Sequence, residues 1–156
     1  MQLSVLAESI LVTARGESFL SPDTRSIAER LGCPAAQAAT QLAEEGRFNE
    51  AADHYRSELN LRSNDSRLFV GLASVLIRLN EIDGAVLAAE RAAQLSVRND
   101  PNVMSLLASA YAAAGRMADA AAAADRARGL AEAAGLADLA AELRLRVAQY
   151  RKGGGV

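Results

Sequence analysis

His54 is the single histidine of this 156-residue chain and Cys33 its single cysteine, so little side-chain chemistry is on offer. An imidazole can act as a general base or a metal ligand. A metal site needs several donors at ligand spacing, and nucleophilic catalysis needs a hydroxyl or thiol oriented by a base. His54 stands beside Tyr55 in an apolar-periodic stretch, where a packing or surface role accounts for it. One cysteine excludes an intrachain disulfide and an all-cysteine metal site, and a lone Cys commonly serves as a small buried hydrophobe. The glycines 153–155 follow no strand and open no helix, so they do not form a phosphate-cradling loop. Glu44-Glu45 reads as a solvated helix end, and no nucleophile elbow is present. The expectation is a protein that is not an enzyme and uses no cofactor and no metal.

The elements that would position any site are helical. Half of the residues are apolar (51%) but only 4% are aromatic and none is tryptophan. The apolar content is mostly Ala and Leu, which favour helix over strand. Pro22, Pro34 and Pro101 stand where helices could begin. The net charge of −2 is mixed along the chain with no basic block, which argues against a large nucleic-acid surface. No stretch is long and apolar enough to span a bilayer, and the start Met1-Gln2-Leu3-Ser4 lacks a basic secretory region, with Glu8 breaking the apolar run. With Met1 as the native start, the expected location is the cytoplasm.

Three segments repeat: Gly46-Arg47-Phe48-Asn49-Glu50-Ala51-Ala52, Asn80-Glu81-Ile82-Asp83-Gly84-Ala85-Val86 and Gly115-Arg116-Met117-Ala118-Asp119-Ala120-Ala121. The alanines Ala51, Ala85 and Ala120 are 34 and 35 residues apart, the period of a helix-pair repeat. Gly46, Asn80 and Gly115 are residue types that accept a left-handed backbone at a helix C-terminus. Phe48, Ile82 and Met117 follow two residues later, placed to plug a corner, and the alanines let the second helix approach the first. Asn49 and Asp83 are placed to cap that second helix. Upstream, Phe69, Leu72, Ala73 and Leu76, then Met104, Leu107, Ala108 and Tyr111, mark the first helices of the second and third pairs, with Ala35, Ala38, Ala39 and Leu42 in the first. Tyr55, Ala89 and Ala124 share one downstream position and Leu61, Leu95 and Leu130 another. Asp100-Pro101 opens the third pair with a cap followed by proline.

This pattern resembles the tetratricopeptide repeat (TPR) family over residues 33–134. The resemblance implies an all-α fold: three antiparallel helix pairs (33–65, 66–99 and 100–134) stacked as a short right-handed superhelix. N-terminal helices (1–32) would precede it, and a capping helix (135–151) with a flexible tail (152–156) would follow. On the capping helix, Leu136, Leu139, Ala140, Leu143, Val147 and Tyr150 share one face, while Glu142, Arg144, Arg146 and Gln149 face away. The resemblance also implies a concave groove that takes a peptide or helix of another protein. Its lining here would include Thr40, Arg67, Val70, Ser74, Ile77, Arg78, Asn102, Ser105 and Ser109, with Ala36, Ala43 and Ala112. Some family members clamp a C-terminal carboxylate with Lys, Asn and Arg. The matching places here hold Ala36, Thr40, Gly71, Asn102 and Leu106, so that clamp is missing. The expected partner is a segment with apolar anchors, with Arg67 and Arg78 available to an acidic group.

Two narrower resemblances concern the N-terminal half. Glu17-Ser18-Phe19-Leu20 and Asp65-Ser66-Arg67-Leu68-Phe69-Val70-Gly71-Leu72 are similar to stretches of the three-repeat chaperones of type III secretion translocators, which share this length and layout. That implies a chaperone covering the apolar segment of a secreted protein, and a homodimer through the N-terminal helices. The third repeat departs from that pattern, with Pro101-Asn102-Val103-Met104-Ser105 in place of an aromatic-rich start. Ile27-Ala28-Glu29-Arg30-Leu31-Gly32-Cys33 resembles the first helix and turn of a helix-turn-helix. Residues 21–46 would then read DNA through Gln37, Thr40 and Gln41. Between Pro34 and Gly46 there is no Lys or Arg, although phosphate contacts supply much of such binding.

Overall fold

The computed structural model describes residues 34–96 and 100–154. The segment 1–32, where the sequence leads one to expect N-terminal helices, lies outside the described residues, as do Cys33, 97–99 and 155–156. Seven helices occupy those described: α1 (Pro34–Glu44), α2 (Phe48–Leu61), α3 (Ser66–Arg78), α4 (Ile82–Leu95), α5 (Pro101–Ala113), α6 (Met117–Ala133) and α7 (Ala137–Gly153). Each helix packs on its sequence neighbours, and the first helices α1, α3 and α5 also meet one another in a row. No helix among the described residues is long and apolar enough to cross a membrane.

One corner design recurs four times. Gly46, Asn80, Gly115 and Gly135 have φ of +79°, +60°, +73° and +72°. At the first corner, Gly46 N–H donates to Ala43 O at 3.1 Å and Arg47 N–H to Leu42 O at 2.8 Å, the paired bonds that close a helix with a left-handed residue. The same pair forms at Asn80-Glu81, Gly115-Arg116 and Gly135-Leu136. The residue after the left-handed one begins the next helix: the carbonyls of Arg47, Glu81, Arg116 and Leu136 accept from Ala51, Ala85, Ala120 and Ala140 at 2.9–3.0 Å. One residue thus ends one helix and starts the next, so the chain reverses with no slack. Ala at the fourth helical position lets the backbones close, and Ala51, Ala85 and Ala120 are fully buried. Phe48 and Ile82 are half-buried against the core beside these corners.

The expected caps Asn49 and Asp83 lie instead inside the helices, because Phe48 and Ile82 are already helical. Arg47 and Glu81 hold the capping positions with no side-chain cap. The corner already engages their backbone groups on both sides.

The links between pairs use another device. The Asp65 carboxylate accepts from Arg67 N–H at 3.0 Å, and Asp100 from Asn102 N–H at 2.8 Å, capping α3 and α5. Asp100 and Pro101 act as the sequence implies. Across the α4–α5–α6 junction, the Tyr111 hydroxyl lies 2.9 Å from Glu90, and Arg116 sits 4.3 Å over the Tyr111 ring while pairing with Asp119 at 2.7 Å. Burial first, and then the bond to Glu90, push the Tyr111 hydroxyl above its ordinary pKa.

The core is built from small residues, so single large side chains decide how the pairs nest. Tyr55 is buried on α2, with its hydroxyl 2.9 Å from Thr40 Oγ1. Its ring lies on the backbone of α3: a Cβ at Gly71 would stand 2.3 Å from Tyr55 Cζ. A side chain there would force the Tyr55 ring to move. One repeat further on, the equivalent positions are Ala89 and Leu106, so bulk passes from the second helix of one pair to the first helix of the next.

The last helix departs from expectation at both ends. Leu136 belongs to the corner rather than to the buried face, and is 44% exposed. The helix runs past Tyr150 to Gly153, and Gly154 closes it through its N–H to Tyr150 O. Arg151 and Lys152 in the final turn suit the negative end of the helix dipole.

Asn80 is the one non-glycine residue at positive φ among those described. Asn80→Ala is expected to lower stability by about 1 kcal/mol, whereas Asn80→Gly should be nearly neutral. Urea unfolding of the three proteins checks this.

Candidate functional site

The sequence-derived partner-face residues divide by helix. On α3, Arg67, Val70, Ser74 and Ile77 recur at helical spacing with Arg78 beside them. Val70 and Ile77 are half-buried, and the other three are exposed. On α5, Asn102 is exposed and Ser105 and Ser109 are half-buried. On α1, Thr40 is exposed. Thr40, Ser74 and Ser109 occupy equivalent repeat positions, so a hydroxyl stands at the middle of each first helix. Ser74 donates to Val70 O at 2.9 Å and Ser109 to Ser105 O at 3.1 Å, bonds that let a hydroxyl sit on a helix without an external partner.

Arg67 and Arg78, expected to face an acidic group, each have a partner within the fold. Arg67 pairs with Asp65 through Nε and Nη2, both at 3.2 Å, and Arg78 lies 5.2 Å over the Phe48 ring. Both are exposed, so exchange onto a ligand carboxylate costs little. Burial raises the Asp65 pKa, but the side-chain and backbone hydrogen bonds from Arg67 outweigh it and hold the carboxyl below its ordinary range.

Arg146 was assigned by sequence to the outward face of the last helix; instead it reaches back to α5. Its Nη1 donates to the hydroxyls of Ser105 and Ser109, both at 3.4 Å, while Nη2 pairs with Glu142 at 2.7 Å. The spacing held the signal: Leu139, Leu143, Arg146 and Tyr150 are four, three and four residues apart, one continuous face. Asp65, the cap and partner of Arg67, was likewise not singled out as a functional residue.

Other candidates remain separate. His54 is exposed on α2. No group of three His, Cys, Asp or Glu side chains among the described residues could hold a metal ion. For DNA reading, Gln37 and Gln41 are half-buried, Gln41 Nε2 donates to Glu45 at 3.2 Å, and Thr40 is bonded to Tyr55. Of the three residues assigned to base edges, Thr40 and Gln41 thus already have side-chain partners. Residues 21–33 of that motif lie outside the described residues.

No protein-family model matches the chain, and no curated protein sequence matches it. Solved structures do. The type III secretion chaperone SycD of Yersinia enterocolitica, in complex with a peptide of the translocator YopD, is 19% identical, with a TM-score of 0.68 over 84% of this chain and 95% of that one. PcrH from Pseudomonas aeruginosa is 21% identical, with a TM-score of 0.69 over 85% and 95%. The TPR2B domain of yeast Sti1, in complex with an Hsp70 peptide, is 17% identical, with a TM-score of 0.68 over 76% and 97%. At these identities the likeness shows the fold: an all-α, TPR-like helical repeat.

The lowered Asp65 pKa gives a stability contribution that is complete above the unfolded carboxyl value, about 4, and is lost as pH falls through the lower folded value. Wild type should therefore exceed Arg67→Ala in urea midpoint by a constant margin at neutral pH. The margin should shrink below about pH 4 and vanish in stronger acid.

Proposed function

We propose that the protein is a non-catalytic binding module whose first helices α1, α3 and α5 form a groove for an extended or helical segment of another protein. The observation that carries this reading is the face of α3, where half-buried Val70 and Ile77 stand between the exposed cations Arg67 and Arg78. Half-buried aliphatic groups gain from further burial at about 25 cal/mol per Å², and flanking cations steer an acidic partner without needing desolvation. SycD with its YopD peptide and the Sti1 domain with its Hsp70 peptide support peptide binding as the use of this fold.

Within this reading, the better-supported specific role is that of a chaperone for a secreted translocator. SycD and PcrH align over most of both chains, and the 65–72 stretch that suggested the resemblance is the α3 face itself. Such a chaperone keeps an apolar segment of its partner covered until delivery. The N-terminal helices would supply a cap or a homodimer contact.

A partner captured from native extract by the tagged protein provides the test. Arg67→Glu combined with Arg78→Glu is expected to weaken its binding about tenfold or more, with the helical circular dichroism retained and melting lowered only by the loss of the Asp65 and Phe48 contacts. Undiminished partner binding by this variant, together with intact DNA binding, would reject the groove.

A further inference from the structure

We infer that Arg146, with the hydroxyl of Ser105, forms an anion-accepting end of the partner face, so that the bound segment carries an acidic side chain beyond its apolar anchors. This rests on the groove reading above and specifies its ligand.

Three observations support it. The face changes character along the array: the α3 positions Val70 and Ile77 are aliphatic, whereas Ser105 stands on α5 at the position equivalent to Val70. Apolar anchors are therefore satisfied at α3 and polar groups at α5. Next, Arg146 has capacity in hand. Its contacts to the two serines are long, at 3.4 Å each, and its ion pair with Glu142 leaves Nε–H without an acceptor among the described residues. Finally, Ser105 accepts from Arg146, and its own proton has no acceptor among the described residues, while Ser109 spends its proton on the Ser105 carbonyl. The guanidinium and the hydroxyl proton of Ser105 thus adjoin at a half-buried place, donors that suit the oxygens of a carboxylate. Glu142, exposed and one turn away on α7, occupies the cation until an incoming acid replaces it. The carboxylate belongs to an internal Asp or Glu rather than a chain end, since the matching clamp positions, Ala36, Thr40, Gly71, Asn102 and Leu106, carry no Lys or Arg.

The probe is a synthetic library of random dodecapeptides with amidated C-termini, selected on the full chain. Selected peptides are expected to share one Asp or Glu at a fixed offset from their apolar positions. Replacing that acid by its amide should weaken binding to wild type about tenfold and leave binding to Arg146→Gln unchanged. Equal weakening of both proteins overturns the inference while leaving the groove reading in place. So does the absence of a shared acid among peptides whose binding Ile77→Asp abolishes. Peptides that still bind Ile77→Asp, or failure to select any, contradict the groove reading and this inference with it. If circular dichroism shows Arg146→Gln unfolded, Ser105→Ala is measured in its place, where an undiminished effect of the amide swap overturns the inference.

Discussion

Everything in this array depends on a corner with no spare residue. A left-handed position closes one helix through two backbone bonds, and the very next carbonyl starts another. Because the reversal is so short, the two helices must lie against each other within their first turns. That proximity is tolerated only where the facing side chain is Ala, as at Ala51, Ala85 and Ala120. The repeat period is therefore a consequence of local backbone geometry before it is one of hydrophobic patterning. It also explains how a chain so poor in aromatic residues holds a core: close backbone approach makes up in packing density for what small side chains lack in area.

The same economy shapes the face assigned to a partner. The inner rows of the first helices take most of the large buried apolar groups, such as Leu68, Leu72, Leu76, Met104 and Leu107, while their outer row carries Val70 and Ile77 at one place and hydroxyls at others. The surface offers a narrow aliphatic stripe bordered by polar groups, a surface for a segment rather than for a broad flat partner. Arg78 on Phe48 and Arg67 on Asp65 hold their charges near that stripe at low cost.

Much of this was legible in the sequence because corners are local. Gly46, Asn80 and Gly115 announce themselves by type, and Ala51, Ala85 and Ala120 by spacing. Long-range choices were less visible. Nothing adjacent to Gly71 says that it faces the Tyr55 ring sixteen residues earlier; only the pairing of the helices shows why a glycine stands inside a helix. The place of Arg146 is hidden from the sequence, where a charge on a terminal helix reads as solvated, because its position beside Ser105 and Ser109 depends on how α7 crosses α5. The caps were displaced by two residues for a related reason: with backbone bonds filling the corner, Asn49 and Asp83 were free to sit inside the helix.

The central claim is that the partner lies on the first-helix face and not on the second. A photo-crosslinking residue placed at Ser74 on α3, compared with one at Leu87, a 68% exposed position on α4, addresses it directly in native extract. The account predicts a covalent partner adduct from position 74 and none from position 87. Adducts from 87 alone would contradict it.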